Sequence, residues 1–290
     1  MELGISSYSY FGAKSASFSM DDAIKHAKST GFDGMEFLYG ERHGDLSCID
    51  SMKYFSDKCA ENGLKTYCCN GGINLMAQDM KEQIENGKAL VDAAKAFGAP
   101  MARCDTIGGD FGESGFGGIR AAIKRIAEGI GVVADYANEN GIKLLVENHG
   151  RIMQDSIIVE ELINTVNRPY YGALVDIGNF MCADEDSAKG VGRMSRYAMH
   201  VHVKDFHFKS GNEIFLPSAG WFKTRGGNYL RGAMLGHGQV PVYQCIKTLA
   251  DNGYNGALSL EFEGVESTLF AIEESYKVLS KALELAGVQK

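Results

Sequence analysis

Proline is scarce in this chain, paired cysteine motifs are missing, and no long apolar run occurs. The sequence has four prolines, all isolated, and seven scattered cysteines without a C-x-x-C pair. This pattern predicts reduced thiols rather than a disulfide framework or a zinc ribbon. No stretch approaches the roughly 18 apolar residues of a membrane span. The first residues also lack the basic segment and following apolar run that predict a signal peptide. We therefore expect a cytoplasmic protein without a membrane-spanning segment.

A basic stripe is also missing. The net charge is −8 and the pI is near 5.4, which argues against a dedicated nucleic-acid binder. The hydrophobic content of 45% and the charged content of 23% are typical of a globular protein. Linkers, charged tails and low-complexity runs are lacking. We therefore expect one domain over residues 1–290.

Short apolar runs alternate along the chain with longer segments of helical period. Predicted strands are Leu3–Tyr10, Gly34–Tyr39, Lys65–Asn70, Met101–Thr106, Ile142–Asn148, Tyr171–Ile177, Met199–Asp205 and Ala257–Phe262. Predicted helices lie near 20–30, 48–62, 79–98, 116–140, 155–167, 186–196, 240–252 and 267–286. Helix stops are predicted at Gly31, Gly63, Gly141 and Gly253. Eight such units indicate a closed α/β (β/α)₈ barrel. A doubly wound open sheet is the alternative. The sequence has no G-x-G-x-x-G after the first predicted strand, which argues against a nucleotide-binding sheet of that kind.

Polar side chains follow the apolar runs at the ends of four consecutive strands. Period-two alternation points His202 and Glu261 toward the barrel axis, and Glu147 and Asp176 end the two preceding strands. Three carboxylates in one dry cavity require a compensating cation. The set predicts a divalent-metal site, with Mn²⁺ ahead of Mg²⁺, Co²⁺ or Zn²⁺. On the same strand as His202, His200 is interpreted as a packed or hydrogen-bonded core histidine.

The motifs around these residues resemble the xylose isomerase-like barrel superfamily, which contains sugar-phosphate isomerases and epimerases. The matching stretches are GFDGMEF (31–37), LVENHG (145–150), LVDIGN (174–179), HVHVKD (200–205) and NGALSLEFE (255–263). The resemblance implies that Glu147, Asp176, His202 and Glu261 are the metal ligands. It also implies a sugar isomerase or epimerase that works through an enediolate on a ketose or modified sugar.

The resemblance assigns acid–base roles as well. In the ketose epimerases of this superfamily, the two glutamates, here Glu147 and Glu261, also act as general acid and base. The position of Asn179 often contacts substrate and is often histidine in epimerases, so asparagine argues against 3-epimerase specificity.

Alternatives to an epimerase stay open. The first is a metal-dependent lyase or dehydratase on an oxidised glycoside or inositol, with His149 as base and, for the C-glycoside type, a small partner subunit. The second is a non-catalytic sugar-binding barrel. An endonuclease with three zinc ions is disfavoured, because it requires histidines after strands two to four, where Glu36, Asn70 and Asp105 stand instead.

Two further residues share the inward face. His149 lies two positions beyond Glu147, where it contacts substrate or caps the next helix. Lys204 binds a substrate hydroxyl or phosphate, or pairs with Glu147 or Glu261. The sequence alone is compatible with both interpretations of each residue.

A long connection, 206–240, follows the seventh strand and is rich in aromatic and basic residues, among them Phe215 and Trp221. We interpret it as part lid and part interface of a homodimer or homotetramer. Trp221, Arg225 and His237 are its candidate contacts to a small sugar substrate. Candidate phosphate nests, Gly108-Gly109, Gly117-Gly118 and Gly226-Gly227, are unspecific.

Overall fold

A computed structural model describes residues 1–15, 17–107, 118–212 and 220–287. Its strands are β1 (Glu2–Ser6), β2 (Gly34–Leu38), β3 (Lys65–Gly72), β4 (Met101–Asp105), β5 (Lys143–Glu147), β6 (Tyr171–Asp176), β7 (Ala198–Val203), β8 (Asp205–Lys209), β9 (Phe222–Lys223), β10 (Tyr229–Ala233) and β11 (Ala257–Leu260). Its α-helices are α1 (Met20–Thr30), α2 (Cys48–Glu61), α3 (Met80–Phe97), α4 (Ile119–Glu139), α5 (Ser156–Val166), α6 (Ser187–Met194), α7 (Val242–Asp251) and α8 (Thr268–Leu285).

Eight of the described strands close into a parallel barrel. The order around the barrel is β1-β11-β7-β6-β5-β4-β3-β2, and β2 pairs with β1 to complete the ring. An α-helix connects most successive barrel strands, which is the arrangement that parallel pairing requires. The predicted (β/α)₈ barrel is confirmed.

Local sequence signals set the helix ends. Ser19 caps α1 in a reciprocal capping box with Asp22, and Gly31 ends the helix with a φ of 113°. The predicted stops at Gly63, Gly141 and Gly253 also have positive φ, of 65°, 74° and 86°. Each follows an asparagine that ends its helix. Since a left-handed residue cannot continue an α-helix, the chain turns there toward the next strand.

Alternation along the strands separates two environments. Leu258 and Leu260 of β11 pack into the main apolar core with the surrounding helices, while Ser259 between them faces the barrel interior. A small apolar cluster inside the barrel contains Leu145 and Leu174. The next inward-facing residues on these strands are polar and complete the C-terminal mouth. Apolar packing at the base of the barrel therefore supports a polar site above it.

The first predicted strand is too long. The strand ends at Ser6, and Ser7–Ala13 forms a 3-10 helix whose first turn is capped by the Ser6 side chain. A serine hydroxyl beside the next backbone N–H groups competes with strand pairing. The apolar pattern of this segment does not reveal that competition.

The connection after β7 contains regular structure in its described parts. Strands β8, β10 and β9 form a three-stranded antiparallel sheet beside the mouth. At the start of β8, the buried carboxylate of Asp205 accepts hydrogen bonds from the backbone N–H groups of Gly236, Gly238 and Val240. These bonds hold the chain where it leaves β10 for α7. Phe215 lies outside the described residues.

Within the described ranges, no helix combines the length and apolar character needed to cross a bilayer.

Candidate metal centre and active site

Four ligand-type side chains from four neighbouring strands meet at the C-terminal mouth of the barrel. Glu147 and Asp176 end β5 and β6, His202 lies near the end of β7, and Glu261 follows β11. Each offers one ligand atom, and these atoms all lie within 4.8 Å of one another. All four residues are buried. The structure thus brings together the residues that the strand ends indicated.

The spacing of these atoms suits a divalent ion. Nδ1 of His202 lies 3.5 Å from Oε1 of Glu147 and 3.6 Å from Oε1 of Glu261. The same nitrogen lies 3.9 Å from Oδ2 of Asp176. Ligand atoms held at about 2.1 Å around a tetrahedral ion lie about 3.4 Å apart. Nδ1 of His202 is buried and has no hydrogen-bond partner among the described residues. The donor set therefore fits a divalent cation.

Two asparagines hold the carboxylates in place. Asn148 exchanges two hydrogen bonds of 2.9 and 2.8 Å with the backbone of Asp176, which ties the end of β5 to the end of β6. The side-chain amide of Asn179 donates to Oε1 of Glu147 at 3.1 Å, and its backbone N–H donates to Oδ1 of Asp176. Burial raises the pKa of Asp176 to about 6, since the nearby cation of Lys204 offsets only part of the lost hydration.

Arg103 and Asp105 extend the site onto β4. Nε of Arg103 lies 3.1 Å from Oε2 of Glu147, and one terminal nitrogen lies 2.7 Å from Oδ2 of Asp105. Burial alone raises the pKa of Glu147, but Arg103 and His202 hold it well below its usual range. Sequence reasoning missed this pair. The period-two rule used for β7 finds both residues, because it places Arg103 and Asp105 on the inner face of β4.

Glu36 on β2 is a second missed residue. Its Oε2 lies 2.6 Å from Nε2 of His200, and its Oε1 lies 2.5 Å from Nε2 of His202. The side chains of all three residues are fully buried. Nε2 of His200 also lies 3.2 Å from Oγ of Ser259. The prediction that His200 is a hydrogen-bonded core histidine is confirmed.

His149 lies at the rim of the cluster and is half exposed. Its Nδ1 is 2.8 Å from Oδ2 of Asp105, and its side chain is 50% accessible. The carboxylate of Asp105 raises the pKa of His149 to about 9, against the opposing effect of burial. The helix-cap interpretation of His149 is wrong, because Asp155 occupies the N-cap position of α5. Its imidazole instead faces the mouth.

Lys204 lies at the other side of the cluster. Its ammonium contacts Glu261, lies 3.3 Å from Oδ2 of Asp176 and lies 3.8 Å from Oε2 of Glu263. Burial opposes its charge, but Asp176 and Glu261 hold the pKa of Lys204 well above its usual value. The predicted pairing of Lys204 with Glu261 is confirmed.

The remaining predicted contacts lie on the segment after β7. Trp221 lies beside the three-stranded sheet, with Nζ of Lys209 and the guanidinium of Arg231 at 5.8 and 5.3 Å from its ring centre. Arg225 pairs with Asp155, so its charge is already matched within the chain. His237 is exposed, and no hydrogen bond or ion pair joins its side chain to another described residue. A substrate role for Trp221, Arg225 or His237 stays a prediction.

The candidate phosphate nests lie partly outside the described residues, which exclude Gly108-Gly109 and Gly117. Gly226 and Gly227 form the turn between β9 and β10, where the backbone N–H of Gly226 donates to Asp184. A carboxylate thus already occupies the donor that an anion would use at that turn.

Known proteins resemble this chain in sequence and in fold. The family model described as Xylose isomerase-like TIM barrel matches residues 24–282. An inosose dehydratase of Clostridium perfringens (strain 13 / Type A) is 27% identical over 142 residues, which cover 48% of this chain and 47% of that relative. The chain thus matches about half the length of its curated relatives.

Solved structures match over nearly the whole chain. The probable 3-DHS dehydratase AsbF of Bacillus anthracis has a TM-score of 0.75 at 18% identity and covers 97% of this chain and 99% of its own. The IOLI protein with a bound zinc atom has a TM-score of 0.74 at 15% identity, with 99% and 98% covered. An L-ribulose 3-epimerase has a TM-score of 0.74 at 16% identity, with 99% and 95% covered. At such identities the likeness shows the fold.

Proposed function

Because this chain belongs to the xylose isomerase-like TIM barrel family, we propose that it is a metal-dependent dehydratase acting on a cyclic polyhydroxy ketone of the inosose class. The observation that carries this proposal is the pairing of His149 with Asp105. It supplies a half-exposed, oriented imidazole at the rim of a cluster suited to a divalent ion. Such a pair is the usual arrangement of a general base and its orienting carboxylate.

Glu147, Asp176, His202 and Glu261 would hold the ion. When bound, a divalent cation polarises a ketone oxygen and stabilises the negative charge that develops on an enolate. The pKa of the His149 imidazole would fall toward the operating range once Glu147 beside it holds a cation. The buried, prearranged carboxylates make this charge compensation available without reorganisation of the protein.

The chain's own residues carry the protons. With Nδ1 held by Asp105, the free Nε2 of His149 accepts the proton from the carbon next to the ketone. The electrons of that C–H bond form a C=C bond, and the C–O bond of the next carbon breaks. The ammonium of Lys204 donates a proton to the departing hydroxyl, which leaves as water, because a cation held by Asp176 and Glu261 would offset the two charges that otherwise retain that proton. Proton acceptor and donor thus lie just beyond the ends of different strands, β5 and β7, around the same cluster.

The comparisons support a dehydratase. A relative matched along about half of its length is an inosose dehydratase, and one structural neighbour is a probable 3-DHS dehydratase. Both names describe enzymes that remove water from their substrates. The neighbour with a bound zinc atom supports a divalent ion in this fold.

A sugar epimerase is the second candidate. Glu147 and Glu261 each place a carboxylate oxygen near Nδ1 of His202, at 3.5 and 3.6 Å, so the site offers two carboxylates for the roles of acid and base. Against this role, Glu147 is held by both Arg103 and Asn179 and its side chain is 1% exposed. A carboxylate held this firmly as an anion is a poor proton acceptor.

The deciding experiment compares two reactions in one preparation. Purified protein is loaded with Mn²⁺ and incubated with an inosose and with a panel of ketoses in D₂O. Mass spectrometry detects loss of water, and NMR detects deuterium uptake beside the carbonyl. Loss of water from the inosose supports the dehydratase, whereas deuterium uptake by a ketose without loss of water supports the epimerase. The metal-stripped protein should do neither.

Two variants separate the acid–base assignments. His149→Ala should abolish dehydration, while only a mild loss in that variant would favour the two-glutamate epimerase. His207→Ala is the matched control, since His207 is a partly exposed histidine on β8 that lies 3.9 Å from Glu266. Glu261→Gln should abolish turnover in either mechanism, and near-normal activity would remove Glu261 from the site.

A further inference from the structure

We propose that Glu36 is a positioning residue that fixes the tautomer of His202, so that Nδ1 of His202 faces the bound cation. The inference rests on the metal site of the proposed function. It concerns which ring nitrogen of His202 binds the cation and how the protein selects that nitrogen. It does not depend on the reaction catalysed.

The contacts divide the His202 ring into two sides. Nε2 lies 2.5 Å from Oε1 of Glu36, while Nδ1 faces the carboxylates of Glu147, Asp176 and Glu261 at 3.5 to 3.9 Å. Neither Oε1 of Glu36 nor Nε2 of His202 makes a well-aligned hydrogen bond with a described residue. A carboxylate oxygen this close nevertheless repels a lone pair on Nε2 and attracts an N–H there, so Nε2 carries a proton. A neutral imidazole has only one N–H, which leaves the lone pair on Nδ1 for an ion.

A carboxylate is required at Glu36 because it serves two histidines. Its second oxygen lies 2.6 Å from Nε2 of His200, with which it makes a hydrogen bond, so each carboxylate oxygen faces one ring nitrogen. A glutamine has one acceptor oxygen and one donor NH₂ group. In its place, one of the two histidines would meet a donor and would have to reverse its tautomer. The carboxylate of Glu36 therefore offers one acceptor oxygen to each of the two histidines, which a glutamine cannot do.

The barrel is irregular at this layer. The register of β2 with β3 shifts between Met35 and Phe37, beside Glu36. The register of β6 with β7 shifts between Ala173 and Leu174, opposite the segment that holds His200. Such shifts re-aim side chains and recur next to active sites. Both shifts lie beside the layer in which the two histidines contact Glu36.

A second ion among Glu36, His200 and His202 does not explain these contacts. Ligand atoms around one ion lie about 3 Å or more apart, because each is held at about 2.1 Å. The two oxygen–nitrogen distances here are 2.6 and 2.5 Å. Both distances are too short for two ligands of one intervening cation.

The test measures binding of Mn²⁺ alone, by titration calorimetry, to wild type, Glu36→Gln and the control Ser259→Ala. Ser259 lies opposite His202 on the neighbouring strand, and its hydroxyl lies 3.2 Å from Nε2 of His200 but makes no hydrogen bond to His202 among the described residues. We expect Glu36→Gln to bind Mn²⁺ about 10- to 100-fold more weakly. Ser259→Ala should bind like wild type. Unchanged affinity in a folded Glu36→Gln variant, or an equal loss in Ser259→Ala, overturns the inference. A wild type that binds no ion at all would instead overturn the proposed function.

A second measurement needs no variant and covers the case in which Glu36→Gln fails to fold. Zinc-loaded wild-type protein is labelled with ¹⁵N in its histidines, and ¹⁵N NMR locates the ring proton of His202. We expect the proton on Nε2. A proton on Nδ1 overturns the inference even if Glu36→Gln weakens binding, because a merely structural role of Glu36 would not select the tautomer.

Discussion

The side-chain amide of Asn179 donates a hydrogen bond to Oε1 of Glu147 across 3.1 Å. Asn179 comes from the turn after β6, and Glu147 ends β5, so this bond fixes one candidate metal ligand from the neighbouring strand. The backbone of Asn179 also donates to Asp176. One residue therefore orients two carboxylates of the cluster.

Replacement of Asn179 by alanine should weaken Mn²⁺ binding by about tenfold or more, because Glu147 loses its orienting donor. The backbone donor to Asp176 is retained in this variant. Titration calorimetry measures the dissociation constant. Asn164→Ala, which removes an exposed amide on α5, should bind like wild type. Equal affinity of both variants would contradict the orienting role of Asn179.

Replacement of Asp105 by asparagine should reduce kcat of the dehydration by at least about tenfold with little change in KM. The amide no longer stabilises the positive charge that His149 gains when it accepts a proton. Steady-state kinetics with an inosose separate the two constants. Asp92→Asn, which changes only an exposed contact to Tyr136, is the control. A rise in KM alone would show that Asp105 serves binding.

Replacement of Arg103 by methionine should destabilise the metal-free protein by about 3–5 kcal/mol, because buried carboxylates of Glu147 and Asp105 lose their cation. Denaturant unfolding with and without Mn²⁺ measures this. The loss should shrink when Mn²⁺ is present, since the ion compensates the same charges. Arg168→Met removes an exposed pair with Asp135 and should leave stability unchanged. If the loss of stability were the same with and without Mn²⁺, Arg103 would not compensate the charge of the carboxylate cluster.

Glu41 provides a pH-dependent prediction away from the metal ligands. Burial raises its pKa, and the nearby Lys14 and Ser7 offset only part of that effect. A raised carboxyl pKa favours the folded state at low pH, and this contribution is lost as the pH rises through the raised value. The side chain of Glu41→Gln stays neutral at every pH. The melting temperature of this variant should therefore rise relative to that of wild type as the pH increases from about 4 to about 7. The exposed Glu61→Gln should show no such trend, and a falling difference would contradict the assignment.

Asp184 anchors the three-stranded sheet. Its carboxylate accepts from Oγ1 of Thr224 at 2.7 Å and from the side-chain amide of Asn228 at 2.8 Å. Asp184→Ala should speed hydrogen exchange in the segment from β9 to β10 by about tenfold, because these bonds no longer resist local opening. Asp186→Ala, two positions on, removes the cap of α6 and should leave that segment protected. Unchanged exchange in Asp184→Ala would show that other contacts hold the sheet.

The barrel and its four ligand-type residues were predictable because both depend on short-range patterns. Period-two alternation decides which side chains of β7 and β11 face inward, and glycine marks the helix ends. The same alternation, applied to β4 and β2, indicates Arg103, Asp105 and Glu36. It gives no reason to choose them, however, because Arg103 and Asp105 read as a local ion pair and Glu36 as a single charge. Their roles come from partners 44 to 166 positions away, such as the pairing of Glu36 with His202 and of Asp105 with His149.

The outer part of the site was less predictable for a different reason. Residues 206–240 have the composition of a loop, yet Tyr229–Ala233 pairs with Asp205–Lys209 in an antiparallel register. Pairing of this kind depends on backbone hydrogen bonds that composition does not report. The sequence also could not show that Asp155 pairs with Arg225, because the two residues are 70 positions apart.

Only Lys204 separates the end of β7 from the start of β8. The barrel and the antiparallel sheet therefore meet at the residue that contacts Glu261. Because β7 sets the position of Lys204, a change in the sheet beyond β8 would leave this charge in place. The wall of the mouth can thus differ in shape without displacing the ammonium beside Glu261.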